Sequence, residues 1–370
     1  MKAVAVFPAD KQIRLIDQPA PRPSAPTDVV VKMLEVGICG TDREIASFDY
    51  GTPPAGSDYL VIGHESLGQV VQTGPAVTRV REGDLVVTMV RRPCPHLECR
   101  ACRHQRPDFC FTGDFTERGI KGRHGFMTEL VVDDESYLTR VPAALREVGV
   151  LVEPLTIAEK ALAQVWDVQD RLPWIASGAS GAARGAGHTA LVLGGGPVGL
   201  LGAMALVTSG FDTYVYSLEA EPNPKAEFTR ALGATWVCAK EVTPDALEQR
   251  MGRIDLVYEA TGASKLAFDM VAHLGANGVF VFTGVPGRKG PVDIDTDRLM
   301  RGLVLKNQLI VGSVNAGRVS YEAAIADLGL FLKRWPAQVR SLITSRTPLE
   351  RFAEQLGGRP TGIKNVLTIG

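Results

Sequence analysis

Two short segments near the start of the sequence carry side chains that bind metal ions. The first is Gly37-Ile38-Cys39-Gly40-Thr41-Asp42 and the second is Gly63-His64-Glu65. A thiolate, an imidazole and a carboxylate are three suitable Zn²⁺ ligands, fewer than the four of a structural zinc site, so one position stays open for a substrate oxygen. The carboxylate of Asp42 can accept the other ring N–H of a metal-bound His64 and fix its tautomer. The segments therefore predict a catalytic zinc site, and the alternative is a buried Cys39 and a hydrogen-bonded core His64.

Four more cysteines follow with the spacing C-x4-C-x2-C-x7-C, namely Cys94, Cys99, Cys102 and Cys110. This spacing predicts a tetrahedral structural zinc site in a loop that has little apolar material of its own. Two disulfides are the alternative, but they are typical of small secreted domains, and this sequence begins without a signal-peptide pattern. The first ligand stays open between Cys94 and His96, because H-x2-C-x2-C is also a regular ligand spacing.

A glycine-rich segment follows a strand predicted over His188–Leu193. Gly194, Gly196 and Gly199 match the pattern G-x-G-x-x-G and precede an apolar helix predicted from Leu200 to about Thr208. Glycines in this pattern allow a tight turn and let a pyrophosphate approach the N–H groups at the helix N-terminus. The segment therefore predicts a dinucleotide site, and the alternative is a glycine-rich turn without a ligand.

A second predicted strand, Thr213–Leu218, supports the dinucleotide interpretation. It ends at Glu219, about 20 residues after the last glycine, where an acidic residue would hold the hydroxyls of the adenosine ribose. Three later strands also end in small or hydroxylated residues: 254–260 before Thr261-Gly262, 278–282 before Thr283-Gly284, and 309–312 before Ser313. Strands that alternate with helical patterns predict a doubly wound parallel sheet with its ligand at the carboxyl ends of the strands.

The composition excludes several classes of function. The chain has 370 residues, of which 45% are hydrophobic, and a formal net charge of −1, so it has no long-range attraction to nucleic acid or anionic membranes. The least polar stretch, Thr189–Val207, has the glycine-rich turn at its centre, and we predict no membrane span. Thiols arranged for metal binding suit the reducing cytoplasm.

The domain organisation follows from the same patterns. Short β-branched runs divided by Gly and Pro predict a β-rich domain up to about Pro142, followed by a helix from Glu153 or Pro154 to Trp166. The small residues of 177–187 predict a connecting loop. We therefore predict a first domain over 1–187 that is completed by 318–370, with a helix over Tyr321–Lys333, and a nucleotide-binding domain over 188–317.

The chain resembles the zinc-dependent medium-chain dehydrogenases over nearly its whole length, and within them the glucose (aldose) 1-dehydrogenases best known from archaea. Beyond the cysteine and histidine segments, the resemblance rests on Arg91-Arg92, Phe115–Ile120, Gly125–Met127, Glu153–Leu155 and Gly312–Asn315. It implies an α/β protein with a β-rich GroES-like catalytic domain and a Rossmann domain. It also implies a homo-oligomer, a dimer or a tetramer, that oxidises the C1 hydroxyl of a cyclic aldose to the aldonolactone with hydride transfer to NAD(P).

The resemblance implies these roles for individual residues. The catalytic zinc would be bound by Cys39, His64, Glu65 and Glu153, and Thr41 would hydrogen-bond the substrate oxygen. The sugar hydroxyls would be contacted by Glu117, Asn315 and Glu153, with Glu117 in a loop over Gly113–Gly119. The cofactor would be bound by Gly194, Gly196, Pro197, Val198, Gly199, Glu219, Thr261, Thr283, Gly284, Ser313 and Asn315. The second zinc would be bound by Cys94, Cys99, Cys102 and Cys110.

The sequence departs from this family in two places. Cys94 and Cys99 are separated by four residues, where the family's first two lobe cysteines are usually separated by two. The second predicted strand of the nucleotide domain ends in Ser217-Leu218-Glu219-Ala220-Glu221, where relatives that use NADP carry basic residues. Because these neighbours of Glu219 include no cation, we predict a preference for NAD, with rescue by Arg230 unfavoured.

Three other functions stay open at this point. The same zinc and cofactor sites would serve a polyol or secondary-alcohol dehydrogenase, in which Glu117 and Asn315 would be structural. A binding protein could keep the fold and its zinc without catalysis. A metal-free quinone reductase is the third possibility, and the presence of Cys39 and His64 argues against it. Glu44 stands where many alcohol-oxidising relatives place a relay histidine, and a solvated helix carboxylate is the equal alternative.

Overall fold

A computed structural model describes residues 1–173, 183–287, 290–358 and 361–370. The contacts divide the chain into two compact units, Met1–Thr156 with Asn315–Gly370, and Ile157–Val314. We call them the first and the second unit. Residues 177–182 of the predicted connecting loop lie outside the described residues.

The helices and strands up to the second unit have these bounds: β1 (Lys2–Phe7), β2 (Gln12–Asp17), β3 (Asp28–Gly37), α1 (Gly40–Ala46), β4 (Leu60–Val61), β5 (Glu65–Thr73), β6 (Leu85–Thr88), β7 (Arg91–Arg92), α2 (Arg100–Arg103), β8 (Thr116–Arg118), β9 (Gly122–Arg123), β10 (Leu130–Asp134), β11 (Leu138–Val141) and α3 (Val152–Gln169). Those of the second unit after α3 are β12 (Thr189–Leu193), α4 (Pro197–Thr208), β13 (Asp212–Ser217), α5 (Pro224–Ala231), β14 (Thr235–Cys238), α6 (Pro244–Met251), β15 (Leu256–Glu259), α7 (Ser264–Val271), β16 (Val279–Phe282), α8 (Thr296–Leu305) and β17 (Leu309–Gly312). The first unit ends with α9 (Arg318–Arg334), α10 (Pro336–Ser341), β18 (Ile343–Pro348), α11 (Ala353–Leu356) and β19 (Lys364–Thr368).

The first unit is β-rich, as predicted. Its largest sheet has the strand order β11-β6-β5-β3-β19-β18, and β10 pairs with β3. β3 is ten residues long and mostly buried, six of its ten residues are valine, methionine or leucine, and it continues into Cys39 and helix α1. Its last residue, Gly37, pairs with Glu65, the first residue of β5. This antiparallel register brings the two predicted metal-binding segments to one edge of the sheet.

The second unit has the predicted parallel sheet. All of its recorded strand pairs are parallel, and the order is β14-β13-β12-β15-β16-β17. The direction of the order reverses at β12, so the carboxyl ends of β12 and β15 form the switch point where this class of sheet binds ligands. Buried apolar residues from the strands and from α6 and α7 form a hydrophobic core of this unit.

Several predicted bounds differ from the structure. Helix α4 begins at Pro197 rather than Leu200, because proline is well accommodated in the first helical turn. Helix α9 begins at Arg318 and ends at Arg334, enclosing the predicted helix over Tyr321–Lys333. The two units divide after Thr156 and after Val314, whereas we placed the domain boundaries after 187 and 317. The first boundary lies earlier in the structure because most of α3 belongs to the second unit. In the part of the chain that is described, no helix is long and apolar enough to cross a membrane.

Candidate active site

Cys39, His64 and Glu65 lie together in the first unit. One ligand atom from each of the three side chains lies within 4.8 Å of the others. His64 and Glu65 are 5% and 1% exposed. A Cβ at Gly37 would stand 2.1 Å from Glu65 Oε2, so glycine leaves room for this carboxylate in its observed position. The turn between β3 and α1 and the turn between β4 and β5 thus present a thiol, an imidazole and a carboxylate, a donor set that fits Zn²⁺.

Asp42 is fully buried beside His64 and orders both turns. Its Oδ2 accepts a hydrogen bond from the backbone N of Cys39 at 2.8 Å, and its Oδ1 accepts one from the backbone N of Gly63 at 3.2 Å. Oδ1 also lies 3.4 Å from Nδ1 of His64. Burial alone would raise the pKa of Asp42, but His64 together with the backbone N–H of Cys39 and Lys364 outweighs burial and holds that pKa below its ordinary value. Asp42 therefore stays ionised and can orient the imidazole.

Glu65 has a cationic partner that the sequence patterns did not predict. The Nζ of Lys364 donates to Glu65 Oε1 at 2.7 Å and to Oε2 at 2.6 Å, and it lies 3.2 Å from the carbonyl of Ile38. Both side chains are almost completely buried. Burial acts to lower the pKa of Lys364, but Glu65 together with Cys39 and Glu153 outweighs burial and raises it, so the pair is ionic. Glu65 is thus shared between this ion pair and the cluster with Cys39 and His64.

Glu153 lies in the first turn of α3 and is partly buried. The pKa of Glu153 is raised to about 7, chiefly by burial; His64 acts to lower this pKa and Glu65 acts to raise it, so Glu153 belongs to the same electrostatic cluster. It is not among the side chains whose ligand atoms lie within 4.8 Å of Cys39 and His64. Thr41 is half-buried at the start of α1, and Glu44 is exposed on the same helix.

Glu117 lies on a strand and not in the loop that we predicted. It is the middle residue of β8, pairs across the sheet with Arg91 of β7, and is 6% exposed. Arg91 Nε donates to Glu117 Oε1 at 3.0 Å, and Asn315 Nδ2 donates to the same oxygen at 2.9 Å. Glu117 is on a strand because Thr116 and Glu117 pair with Arg92 and Arg91 of β7. The glycines Gly119 and Gly122 lie beyond Arg118, the last residue of β8. The structure thus brings Glu117 and Asn315 together, as a shared sugar site requires.

A buried ion cluster supports the strands that carry Arg91 and Glu117. Asp133 accepts hydrogen bonds from Arg92 Nη2 at 2.5 Å and from Arg118 Nε at 3.0 Å. All three side chains are buried. Burial would raise the pKa of Asp133, but Arg92 and Arg118 outweigh burial and lower it. The residues next to Arg91 and Glu117 in sequence are therefore fixed to one carboxylate on β10.

The ligand atoms of the four lobe cysteines, Cys94, Cys99, Cys102 and Cys110, all lie within 4.8 Å of one another. None of them forms a disulfide. His96 is not the first ligand of this group, because its Nε2 lies 2.8 Å from Asp114 Oδ2 and its side chain is 40% exposed. A thiol cluster of this kind fits a structural Zn²⁺.

The glycine-rich turn has the local geometry that a pyrophosphate site needs. Gly194 has a φ of +107°, which favours glycine. A Cβ on Gly199 would stand 2.0 Å from the carbonyl oxygen of Gly194, so only glycine lets α4 pack this closely on β12. Apart from its neighbours in the chain, no atom of the described residues lies within 4 Å of the Cβ position of Gly196, where glycine instead leaves room for a ligand. Pro197 and Val198 begin α4, whose N-terminal N–H groups are available to an anion.

Glu259, at the end of β15, orders several of the predicted cofactor residues, but it was not itself predicted from the sequence. Its Oε1 accepts hydrogen bonds from the backbone N and the Oγ1 of Thr261, both at 2.6 Å. Its Oε2 accepts one from Gly284 N at 3.1 Å, and its carbonyl accepts one from Thr283 Oγ1 at 2.6 Å. The sequence signal that could have identified Glu259 was its position at the end of a predicted strand, two residues before Thr261. Ser313 follows β17, and its Oγ accepts a hydrogen bond from Gln164 at 2.7 Å.

Glu219 follows β13 by two residues and is tied to the glycine-rich turn. Its Oε2 accepts a hydrogen bond from Ser217 Oγ at 2.6 Å, and Ser217 Oγ accepts one from Gly195 N at 3.3 Å. Its Oε1 forms an ion pair with Lys225 on α5. Burial would raise the pKa of Glu219, but Lys225 and Ser217 outweigh burial and lower it. The expectation that no cation compensates Glu219 is therefore wrong, because we considered only its neighbours in sequence and Arg230, which pairs with Glu221.

Family models match nearly the whole chain. The model of the glucose dehydrogenase C-terminus matches residues 146–369, and that of the alcohol dehydrogenase GroES-like domain matches residues 25–143. Glucose 1-dehydrogenase from Methanocella arvoryzae is 38% identical over 371 residues, which is 100% of both chains. The chain belongs to the glucose dehydrogenase family of zinc-dependent medium-chain dehydrogenases. Within that family, glucose 1-dehydrogenase from Thermoproteus tenax is 40% identical over 100% of this chain and 99% of its own.

A solved structure of a glucose dehydrogenase has the same fold. The Haloferax mediterranei enzyme in complex with NADP, Zn and gluconolactone superposes with a TM-score of 0.86 at 33% identity, over 100% of this chain and 99% of that one. The α/β fold with a GroES-like domain and a parallel nucleotide-binding sheet is thus the family fold. The resemblance that we drew from the sequence is confirmed.

Proposed function

We propose that this glucose dehydrogenase family member oxidises the C1 hydroxyl of a cyclic aldose such as glucose to the aldonolactone, with zinc and with NAD as the preferred hydride acceptor. The observation that carries this proposal is that one unit holds both a Cys39–His64–Glu65 donor set and a hydrogen-bonded Glu117–Asn315 pair, in which Glu117 is buried. The related Haloferax mediterranei enzyme, solved in complex with NADP, Zn and gluconolactone, supports the same chemistry.

The residues of this chain would act as follows. Cys39 and His64 would hold the catalytic zinc, with Glu65 and Glu153 as further carboxylates, and the lobe cysteines would hold the structural zinc. When bound, zinc would lower the pKa of the anomeric hydroxyl as a Lewis acid, and the nicotinamide would accept the hydride from the same carbon. Thr41 would hydrogen-bond the hydroxyl that loses its proton. Asp42 would keep the His64 ring in one orientation.

Glu117 would orient the sugar. Arg91 and Asn315 both donate to its Oε1, so Oε2 is the oxygen available to a sugar hydroxyl. An ionised, buried acceptor gives a stronger hydrogen bond than a solvated one, because water does not compete with it. A simple secondary alcohol has no further hydroxyl to donate to this acceptor, which favours a polyhydroxylated substrate such as an aldose over a simple secondary alcohol.

The cofactor would lie on the second unit, on Gly194 to Gly199 and along the strand ends at Thr261, Thr283, Gly284 and Ser313, with Asn315 as a further predicted contact. Glu219 would accept hydrogen bonds from the hydroxyls of the adenosine ribose. A 2′-phosphate would place negative charge beside this carboxylate, so we expect NAD to be preferred over NADP by at least about tenfold in kcat/KM. A Glu219→Arg change would shrink or reverse that preference.

A substrate panel combined with metal analysis tests this function. Initial rates are measured for aldoses, polyols and secondary alcohols with NAD and with NADP. We expect aldoses to be the best substrates, and we expect about two zinc ions per chain. Cys39→Ala is expected to abolish turnover and to keep one zinc. Cys238→Ala, which removes a thiol outside both clusters, keeps the zinc content unchanged. A better rate with acyclic alcohols, or zinc content unaffected by Cys39→Ala, would contradict the proposal.

We also propose that the enzyme is a cytoplasmic homo-oligomer. Strand β17 is the edge of the described parallel sheet, and the neighbouring helix α8 exposes Met300, Val304 and Leu305. Exposed apolar side chains beside a free strand edge are typical of a contact with another chain. Light scattering coupled to size-exclusion chromatography tests this, with a monomer as the contradicting result. The thiol clusters require a reducing compartment to stay available for zinc.

A further inference from the structure

The predicted ribose site carries a cation as well as the negative charge that the sequence pattern suggests. Glu219 would leave an uncompensated negative charge there, but Lys225 forms an ion pair with its Oε1. The Lys225 side chain is 22% exposed and that of Glu219 is 41% exposed, so both can be reached from solvent. The pair is neutral overall. A ligand phosphate at this position therefore meets one carboxylate and one ammonium group.

Hydrogen bonds of the loop before α5 hold Lys225 next to Glu219. Asn223 caps helix α5 by accepting a hydrogen bond from Ala226 N at 2.9 Å, and its Nδ2 donates to the carbonyl of Ala220 at 3.0 Å. Trp236 Nε1 donates to the carbonyl of Glu219 at 3.0 Å. The loop from Glu219 to α5 is thus closed at both ends. Lys225, the second residue of the helix, lies next to Glu219 because of this loop and not because of any sequence motif.

A second cation of helix α5, Arg230, is engaged elsewhere. Arg230 lies on the same helix and pairs with Glu221. Glu219 in turn is linked through Ser217 to Gly195 of the glycine-rich turn. The ribose attached to a pyrophosphate on that turn would therefore reach Glu219 and Lys225 together.

We propose that Lys225 sets the cofactor selectivity of this enzyme: it pairs with Glu219 when NAD is bound and binds the 2′-phosphate when NADP is bound. This inference rests on the proposed function, because it takes the nicotinamide dinucleotide as the ligand of the second unit. The exchange replaces one ammonium–carboxylate hydrogen bond by an ammonium–phosphate hydrogen bond, so it needs no new cation. The enzyme therefore uses NADP as a second cofactor despite the carboxylate of Glu219.

Direct binding of the reduced cofactors tests this role. The dissociation constants of NADH and NADPH are measured by fluorescence titration of the zinc-loaded enzyme, without sugar. For Lys225→Met we expect NADPH binding to weaken about tenfold or more, the effect of losing a charged hydrogen bond, and NADH binding to change by less than about threefold. Lys225→Arg keeps the cation and is expected to retain NADPH binding. Arg230→Met, on the same helix, is the matched control and is expected to change neither constant by more than about twofold.

The outcomes separate the inference from the proposed function. Equal weakening of NADH and NADPH by Lys225→Met, or unchanged NADPH binding, would overturn the role of Lys225 and leave the dehydrogenase function intact. Failure of the unmodified enzyme to bind either reduced cofactor would overturn both. If Lys225→Met does not fold, Glu219→Gln gives an independent test, because it releases Lys225 and should tighten NADPH binding while weakening NADH binding. No tightening of NADPH binding in that variant would also contradict the inference.

Discussion

Replacing Glu117 by glutamine removes one negative charge and keeps the size of the side chain. The carboxylate is 6% exposed and accepts hydrogen bonds from Arg91 and Asn315 on one oxygen. A hydrogen bond to a charged group contributes about 1.5–3 kcal/mol, and about 1.4 kcal/mol corresponds to a tenfold change. If Glu117 holds a sugar hydroxyl in the transition state, Glu117→Gln should lower kcat/KM for glucose by about 10- to 100-fold.

The same change also affects stability, and the two effects must be separated. Arg91 is buried and keeps its contact with the Phe115 ring, but it loses its charged partner. Removing one partner of a buried ion pair costs up to about 3–5 kcal/mol of unfolding free energy. Glu35→Gln is a matched control, since Glu35 is also buried and accepts hydrogen bonds from two arginines, Arg146 and Arg346. It should lower stability without lowering kcat/KM.

Steady-state rates with glucose and saturating NAD, together with urea unfolding curves, give both quantities. We expect Glu117→Gln to lower kcat/KM and stability, whereas Glu35→Gln lowers stability alone. An unchanged kcat/KM for Glu117→Gln, at temperatures where the variant is folded, would refute a sugar contact. Glu117 would then be a structural partner of Arg91, and the assignment of an aldose substrate would lose its main support.

Two further predictions concern structure and stability. Cys99→Ser should remove the lobe zinc and lower the thermal unfolding midpoint, because a structural zinc contributes folding free energy; a metal analysis that still finds both zinc ions would contradict this. Asp133, whose pKa is lowered by Arg92 and Arg118 against the effect of burial, contributes stability that is fully present above its unfolded pKa of about 3.9 and is lost as the pH falls through its lower folded pKa. Urea unfolding between pH 7 and pH 2 should therefore show a steeper acid loss for the unmodified protein than for Asp133→Asn, and equal slopes would refute the ion cluster.

The features that the sequence predicted well are those in which nearby residues must act together. The turn at Gly194–Gly199 depends on local backbone geometry and on the contact of Gly199 with Gly194, so its pattern is visible in a few residues. The lobe cysteines must surround one ion from a single loop, which restricts their spacing. The central strands β12, β15 and β16 of the second unit are buried over most of their length, so they are largely apolar runs that stand out from the helices.

The features that the sequence did not predict are contacts between distant segments. Lys364 meets Glu65 across 299 residues, and Asn315 meets Glu117 across 198. No periodicity or motif records such pairs, because they arise only when the sheets pack. Lys225 is close to Glu219 in sequence, but its contact depends on the path of the loop before α5. Glu117 was assigned to a loop because strand β8 is only three residues long.

One of these unpredicted contacts, between Lys364 and Glu65, affects the charge of the proposed metal site. Asp42 and Glu65 are buried carboxylates beside Cys39, and Lys364 is the buried cation that faces Glu65. A buried charge is tolerated only when it is paired and hydrogen-bonded, and both oxygens of Glu65 are satisfied by Lys364. Lys364 therefore gives the Glu65 carboxylate a buried partner of opposite charge, whether or not Glu65 contacts a metal. Its contact with the carbonyl of Ile38, next to Cys39, means that the same ammonium group also fixes the turn that presents the thiol. The geometry of the proposed catalytic zinc site thus depends on a lysine from the last strand of the chain.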